Sequence, residues 1–204
     1  MRIRNLVLAF ILGAAAAAGI ALSLNMLGDD PVPSHATVLP AGNELPDFSL
    51  LDHSGNAVGK SVFAGQWDVV FFGFTHCPDI CPLTLGLLRQ ARDRLVSAHA
   101  DEVPRIVLVS VDPERDTPDA LAEYIAYFGE GNLGITGDLE EISKLTDALG
   151  IFFAKAALED GDYTVDHSTV VLVIDPEGRF RALFSAPHSI DGLVHDLPLI
   201  MAMQ

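Results

Sequence analysis

Residues 69–82 read VVFFGFTHCPDICP. The first six carry no polar or charged side chain, the pattern of a central strand buried on both faces. Cysteines follow at positions 77 and 81, and Pro82 fixes the geometry between strand and helix. Inside a running helix Pro82 would lose the hydrogen bond to residue 78 and clash with that carbonyl, whereas in a first helical turn it costs nothing. A helix is therefore expected to begin near Cys81, with Cys77 in the loop above it and both sulfurs converging on the helix N-terminus. Free amides and the macrodipole at such a terminus favour a thiolate, which lowers a thiol pKa and raises its nucleophilicity and metal affinity.

The chain has only these two cysteines. A disulfide closing so short a loop constrains the unfolded chain little, so stability is a poor reason for the pair and chemistry a better one. One helical turn separates α-carbons by about 6 Å, within the span of a disulfide. The same spacing can hold two thiolates around one soft ion. Sulfur donors with one imidazole favour Cu(I), and also Zn(II), and exclude hard cations such as Mg(II).

Two sulfurs leave such an ion underligated, so a third donor is expected from elsewhere in the fold. His167, in YTVDHSTVVLVIDPEGR (residues 163–179), precedes an apolar strand and is the candidate, with Asp166 as the neighbour expected to orient its ring or tune its basicity. The competing reading is a turn histidine held by an ordinary hydrogen bond. His76 reads as an exposed loop residue beside a thiol. His35, His53, His99, His188 and His195 are assigned no role.

Outward from this stretch, strand-like and helical patterns alternate. Phe48 to Leu51 and Val58 flank a turn at Ser54–Gly55. Leu83 to His99 carries apolar residues at helical spacing, and Arg105 to Val111 (RIVLVSV) is a second buried strand. Thr117 is the expected N-cap of the next helix, with Pro118 at its first position and Ala120 to Phe128 supplying the apolar face. Glu140 to Leu149 is a third helix. Thr169 to Ile174 and Arg179 to Phe184 form a hairpin about Asp175–Gly178, and Ile190 to Met201 closes the chain. This order predicts an α/β fold, a mixed central sheet flanked by helices in the thioredoxin-like arrangement.

Ahead of that domain, Leu6 to Leu27 has only Ser23 and Asn25 as polar side chains. As a helix it would be ~33 Å long, matching the ~30 Å hydrocarbon core of a bilayer. Arg2 and Arg4 precede it and Asp29 and Asp30 follow, so the positive-inside bias keeps the N-terminus cytoplasmic. Residues 1–27 are thus expected to be a membrane anchor, 28–45 (rich in proline) a tether, and 46–204 the globular domain. A cleaved signal peptide is the alternative, since Ala21 and Ser23 give a small-x-small pattern. Either way the domain lies outside the cytoplasm, where a disulfide is permitted. The net charge of -16, with twelve lysines and arginines among 204 residues, argues against nucleic acid as a partner.

Three segments in this order, HCPDICP (76–82), VSVDPERDTP (109–118) and VDHSTVVLVIDPEGRF (165–180), resemble the Sco/SenC proteins, the copper chaperones of cytochrome c oxidase assembly. The resemblance runs from about Leu45 to the C-terminus. It implies a copper site made by Cys77, Cys81 and His167, and delivery to the binuclear copper centre of oxidase subunit II. It also implies a thiol-disulfide oxidoreductase alternative acting on that centre's cysteines, with Cys77 and Cys81 able to pair as a disulfide. A single-pass inner-membrane protein with a periplasmic or intermembrane-space domain fits this, as does a separate copper donor protein or thiol reductase partner. Asp112 and Pro113 fall in the second segment and read first as a turn after a strand. Thioredoxins place a proline before the equivalent strand, where this chain has Asp166–His167–Ser168. Peroxiredoxins place a threonine three residues before the reactive cysteine, where this chain has Phe74.

Overall fold

The computed structural model describes residues 31–203 except residue 160, together with scattered positions between residues 2 and 19. It divides into two units, Met1–Val32 and Pro33–Gln204. In the first unit the described positions between residues 2 and 19 are helical and exposed. Much of the anchor expected over Leu6–Leu27 lies outside the described residues, and among those described no helix is long and apolar enough to cross a membrane.

The second unit begins with β1 (Ala36–Glu44), then β2 (Leu50–Asp52) and β3 (Ala57–Val58), the short hairpin expected around Ser54–Gly55. Strand β4 (Asp68–Gly73) leads into helix α1 (Ile80–Ser97), which leads to β5 (Arg105–Ser110). Helix α2 (Pro118–Ala126), β6 (Leu133–Thr136) and α3 (Leu139–Leu149) follow. A separate hairpin of β7 (Phe153–Ala157) and β8 (Tyr163–His167) precedes β9 (Val171–Ile174), β10 (Arg179–Phe184) and the closing helix α4 (Ile190–Met201).

Eight strands form one sheet in the order β1-β10-β9-β4-β5-β6-β2-β3. β4, β5 and β6 are parallel, while β9 is antiparallel to β4 and to β10. The mixed, helix-flanked sheet is the α/β architecture predicted from the sequence. Its centre follows from composition: Phe71 and Phe72 of β4 and Ile106 to Val109 of β5 are completely buried, and each such side chain contributes about 1.5–3 kcal/mol by leaving water. The helix signals hold as well. Thr117 accepts a hydrogen bond from the Ala120 amide at 3.3 Å, with Pro118 opening α2, and Ser189 caps α4 through the Gly192 amide.

The tether expected over residues 28–45 is corrected in its second half. Residues 36–44 are β1, paired antiparallel to β10. Pro40 is tolerated because β1 is an edge strand and its register shifts between Val38 and Asn43. Gly42, at φ 65°, makes the turn in that irregular stretch, where a Cβ would come within 3.0 Å of the Arg181 side chain. The β7–β8 hairpin and β6 also went unread in the sequence: the first is half exposed and weakly apolar, the second only four residues long.

Candidate metal centre

β4 ends at Gly73, and the chain turns through Thr75–Asp79 before α1 begins at Ile80. Cys81 is therefore in the first helical turn, as Pro82 requires. Cys81 is fully buried and Cys77 is 9% exposed; both are free thiols. The Cys81 amide points at the Cys77 sulfur, 3.4 Å away, so an N–H at the helix start serves that sulfur. Gly73 makes room for the arrangement. A Cβ there would lie 2.8 Å from the Cys81 Sγ and 3.0 Å from the Phe71 ring.

His167 arrives from the last residue of β8, opposite Phe153 of β7. Its ring stands edge-on to Phe71 and Phe74, with centroids 5.7 and 5.9 Å away. Nε2 is 3.4 Å from the Cys81 Sγ, and Nδ1 is 2.9 Å from the Ser168 carbonyl oxygen. A carbonyl only accepts, so Nδ1 carries the proton and Nε2 presents its lone pair to Cys81. Burial pushes the His167 pKa below its usual 6.5, against smaller opposing effects of Ser168 and Asp166, which keeps the ring neutral. The orienting group is thus the Ser168 carbonyl, while Asp166 tunes the ring's basicity by raising its pKa.

One sulfur each from Cys77 and Cys81 and one nitrogen from His167 lie within 4.8 Å of one another. Two donors opposed across an ion are ~4.6 Å apart when each bond is ~2.3 Å, so these side chains need little movement to close on one soft ion. The thiol chemistry departs from expectation at Cys81. Burial raises its pKa well above the ordinary thiol value, and the nearby Cys77 and Asp116 add to that rise, outweighing a backbone interaction at Phe74. Cys81 is a thiol at neutral pH, and an ion entering here displaces its proton.

Two buried carboxylates hold the surrounding loops. Asp116 accepts from the Thr75 amide (3.0 Å), the Thr75 hydroxyl (2.6 Å) and the Ser110 hydroxyl (2.7 Å), fixing the loop that presents Cys77. Asp112 accepts from the Tyr163 hydroxyl at 2.8 Å and from Arg115. Arg115 in turn donates to the Tyr163 carbonyl at 3.0 Å and stacks over the Tyr163 ring at 3.9 Å. This cluster ties the β8 strand to the loop after β5. In the sequence Asp112 reads as turn chemistry and Asp116 as the residue ahead of the Thr117–Pro118 helix start, and Arg115, Tyr163 and Gly73 carry no assigned role. A glycine inside an otherwise apolar strand was the one available signal. His76 bonds Thr75 through Nδ1 at 3.0 Å and is half exposed.

Residues 37–202 match the SCO1/SenC family model. A Stutzerimonas stutzeri protein named for copper binding is 37% identical over 89% of this chain and 87% of its own length. The SCO1 homolog 1 of Arabidopsis thaliana mitochondria is 40% identical over 72% of this chain and 43% of its own, so the chain spans less than half of that relative. Among solved structures, Arabidopsis thaliana ScoI with copper bound superposes with a TM-score of 0.74 at 35% identity, covering 78% of this chain and 99% of that one. Bradyrhizobium japonicum ScoI with copper bound gives 0.67 at 34% identity, over 77% and 99%.

Proposed function

The chain belongs to the SCO1/SenC family, and from that premise we propose that it is a copper carrier that holds its cargo between Cys77, Cys81 and His167. The observation that carries this reading is the convergence of those three donors within 4.8 Å, from two elements distant in sequence. Two sulfurs and one neutral imidazole are a soft set suited to Cu(I). Cys77 and Cys81 are buried and His167 is the partly exposed ligand, so a partner's incoming donors meet the imidazole side first and exchange ligands stepwise. The recipient is the binuclear copper centre of cytochrome c oxidase subunit II. The N-terminal apolar run anchors the protein in the inner membrane as a single pass, with the domain on the periplasmic side.

Oxidation of Cys77 and Cys81 to a disulfide removes two ligands, so redox state gates loading. The test is copper titration of the thiol and disulfide forms. The thiol form is expected to bind one Cu(I), and equal affinity in the disulfide form contradicts the proposal.

A second reading, reduction of a partner disulfide, is favoured by the Cys81 amide facing the Cys77 sulfur. Cys77 would attack and the buried Cys81 would resolve the mixed disulfide. His167→Ala separates the two: it spares a reductase and cripples a copper carrier.

A further inference from the structure

A second constellation of metal-ligating side chains lies on α4 and the residue just ahead of β1. We propose that His35, His195 and Asp196 form a separate cation site that takes a borderline divalent ion, Cu(II) more tightly than Zn(II). One ligand atom from each of the three lies within 4.8 Å of the others.

Asp196 is completely buried, and its Oδ2 accepts the backbone amides of His35 at 2.6 Å and Ala36 at 2.8 Å. Those bonds pin the chain leading into β1 onto α4, and they leave Oδ1 for other partners. Two imidazole nitrogens aim at it: His195 Nδ1 at 2.6 Å and His35 Nδ1 at 3.5 Å. The rings are 6.0 Å apart at 66°, so they do not stack. Gly192 allows the approach, since a Cβ there would sit 2.9 Å from the His35 ring.

His195 Nδ1 bonds Oδ1, whereas His35 Nδ1 is 3.0 Å from the neighbouring Ser34 hydroxyl and stands 3.5 Å from the carboxylate. An ion with bonds of ~2.0–2.2 Å bridges all three donors. It replaces the proton between His195 and Asp196 and draws His35 in from 3.5 Å. Both rings are half exposed, which leaves a path for the ion. Two nitrogens and one oxygen suit Cu(II) and Zn(II), with Cu(II) favoured by the general order of divalent affinities. The site is independent of the cysteine centre. Asp191, one turn before His195, pairs with Arg94 at 2.6 Å, and Arg94 is thirteen residues along α1 from Cys81, ~20 Å at helical rise.

The test uses the full, untagged chain in detergent, carrying Cys77→Ser, Cys81→Ser and His167→Ala to remove the first centre. Titration with Cu(II) is expected to load one equivalent with nitrogen hyperfine structure in its electron paramagnetic resonance spectrum. Adding His35→Gln or His195→Gln should weaken that binding at least about tenfold, while His99→Gln leaves it unchanged. The same two substitutions in the otherwise unaltered chain should lower total bound copper by one equivalent, which covers poor folding of the multiple variant. Absence of Cu(II) uptake, or uptake indifferent to both glutamine substitutions, overturns the proposal.

Discussion

The Nε2 of His167 stands 3.4 Å from the Sγ of Cys81, although 86 positions separate them in the chain. Local sequence alone does not bring the two together. Cys81 is placed by the strand-to-helix turn, and His167 by a hairpin that Tyr163 and Arg115 tie to the loop after β5. The neutral imidazole faces a protonated thiol, so the contact is an S–H to N hydrogen bond, and in the proposed carrier role copper takes the place of that proton.

Copper affinity should therefore rise with pH. Cys81 holds its proton through the neutral range because its pKa is raised, so each ion bound there releases at least one proton. Apparent Cu(I) affinity is expected to climb at least about tenfold per pH unit between 6.5 and 8. His167 adds no proton in that window, since its pKa lies below 6.5. Competition with a Cu(I) chelator across pH measures the slope, and a flat profile would count against a protonated Cys81.

Gly73→Ala should disturb the centre without touching a ligand. The new methyl would press on the Cys81 sulfur at 2.8 Å, and both the sulfur and the Phe71 ring are locked in the core. Overpacking of this kind costs about 1–3 kcal/mol. Thermal unfolding should show that loss together with weaker Cu(I) binding. Unchanged affinity in the folded variant would mean that Cys81 has freedom the packing denies it.

Asp116→Asn should loosen the Cys77 loop. The carboxylate serves three donors, and the amide cannot accept from all of them. A stability loss of about 1–3 kcal/mol is expected. Amide hydrogen exchange should accelerate at Thr75 to Cys77 more than in β5. Uniform protection across both segments would refute the assigned role.

How much of this was legible in the sequence depends on which physical rule each residue obeys. The apolar run 69–74, the Thr117–Pro118 cap and the Pro82 constraint are local, and each element formed where it was expected. β1 was hidden because Pro40 and Gly42 read as tether residues, and only the edge position beside β10 makes them acceptable in a strand. The two cysteines and His167 were legible as candidate ligands from their chemistry, and the fold brings them within 4.8 Å of one another. Their supports were not, because Asp112 and Asp116 sit in the charged stretch DPERD, which reads as a solvated loop, whereas both aspartates are completely buried. The direction of the Cys81 pKa was misread for a related reason: the helix N-terminus argues for a thiolate, and complete burial outweighs it.

Acid should expose the anchoring role of Asp196. Burial alone would raise its pKa, but hydrogen bonds from His195 and the amides of residues 34–36 prevail and hold it at about 2. A depressed carboxylate pKa contributes stability above its usual 3.8, and that stability is lost as pH falls from about 4 towards 2. Asp196→Asn should reduce stability at pH 7 by about 1–3 kcal/mol and flatten this part of the acid unfolding curve. Parallel curves for the two proteins would show that the carboxylate is not the titrating group.

The most direct measurement is Cu(I) stoichiometry and X-ray absorption of the reduced full-length protein beside Cys77→Ser, Cys81→Ser and His167→Ala. The account predicts one ion per chain with two sulfurs and one nitrogen around it. It predicts an affinity loss of at least about tenfold for each substitution, with the nitrogen contribution absent in His167→Ala. An unchanged spectrum and affinity in His167→Ala would contradict it.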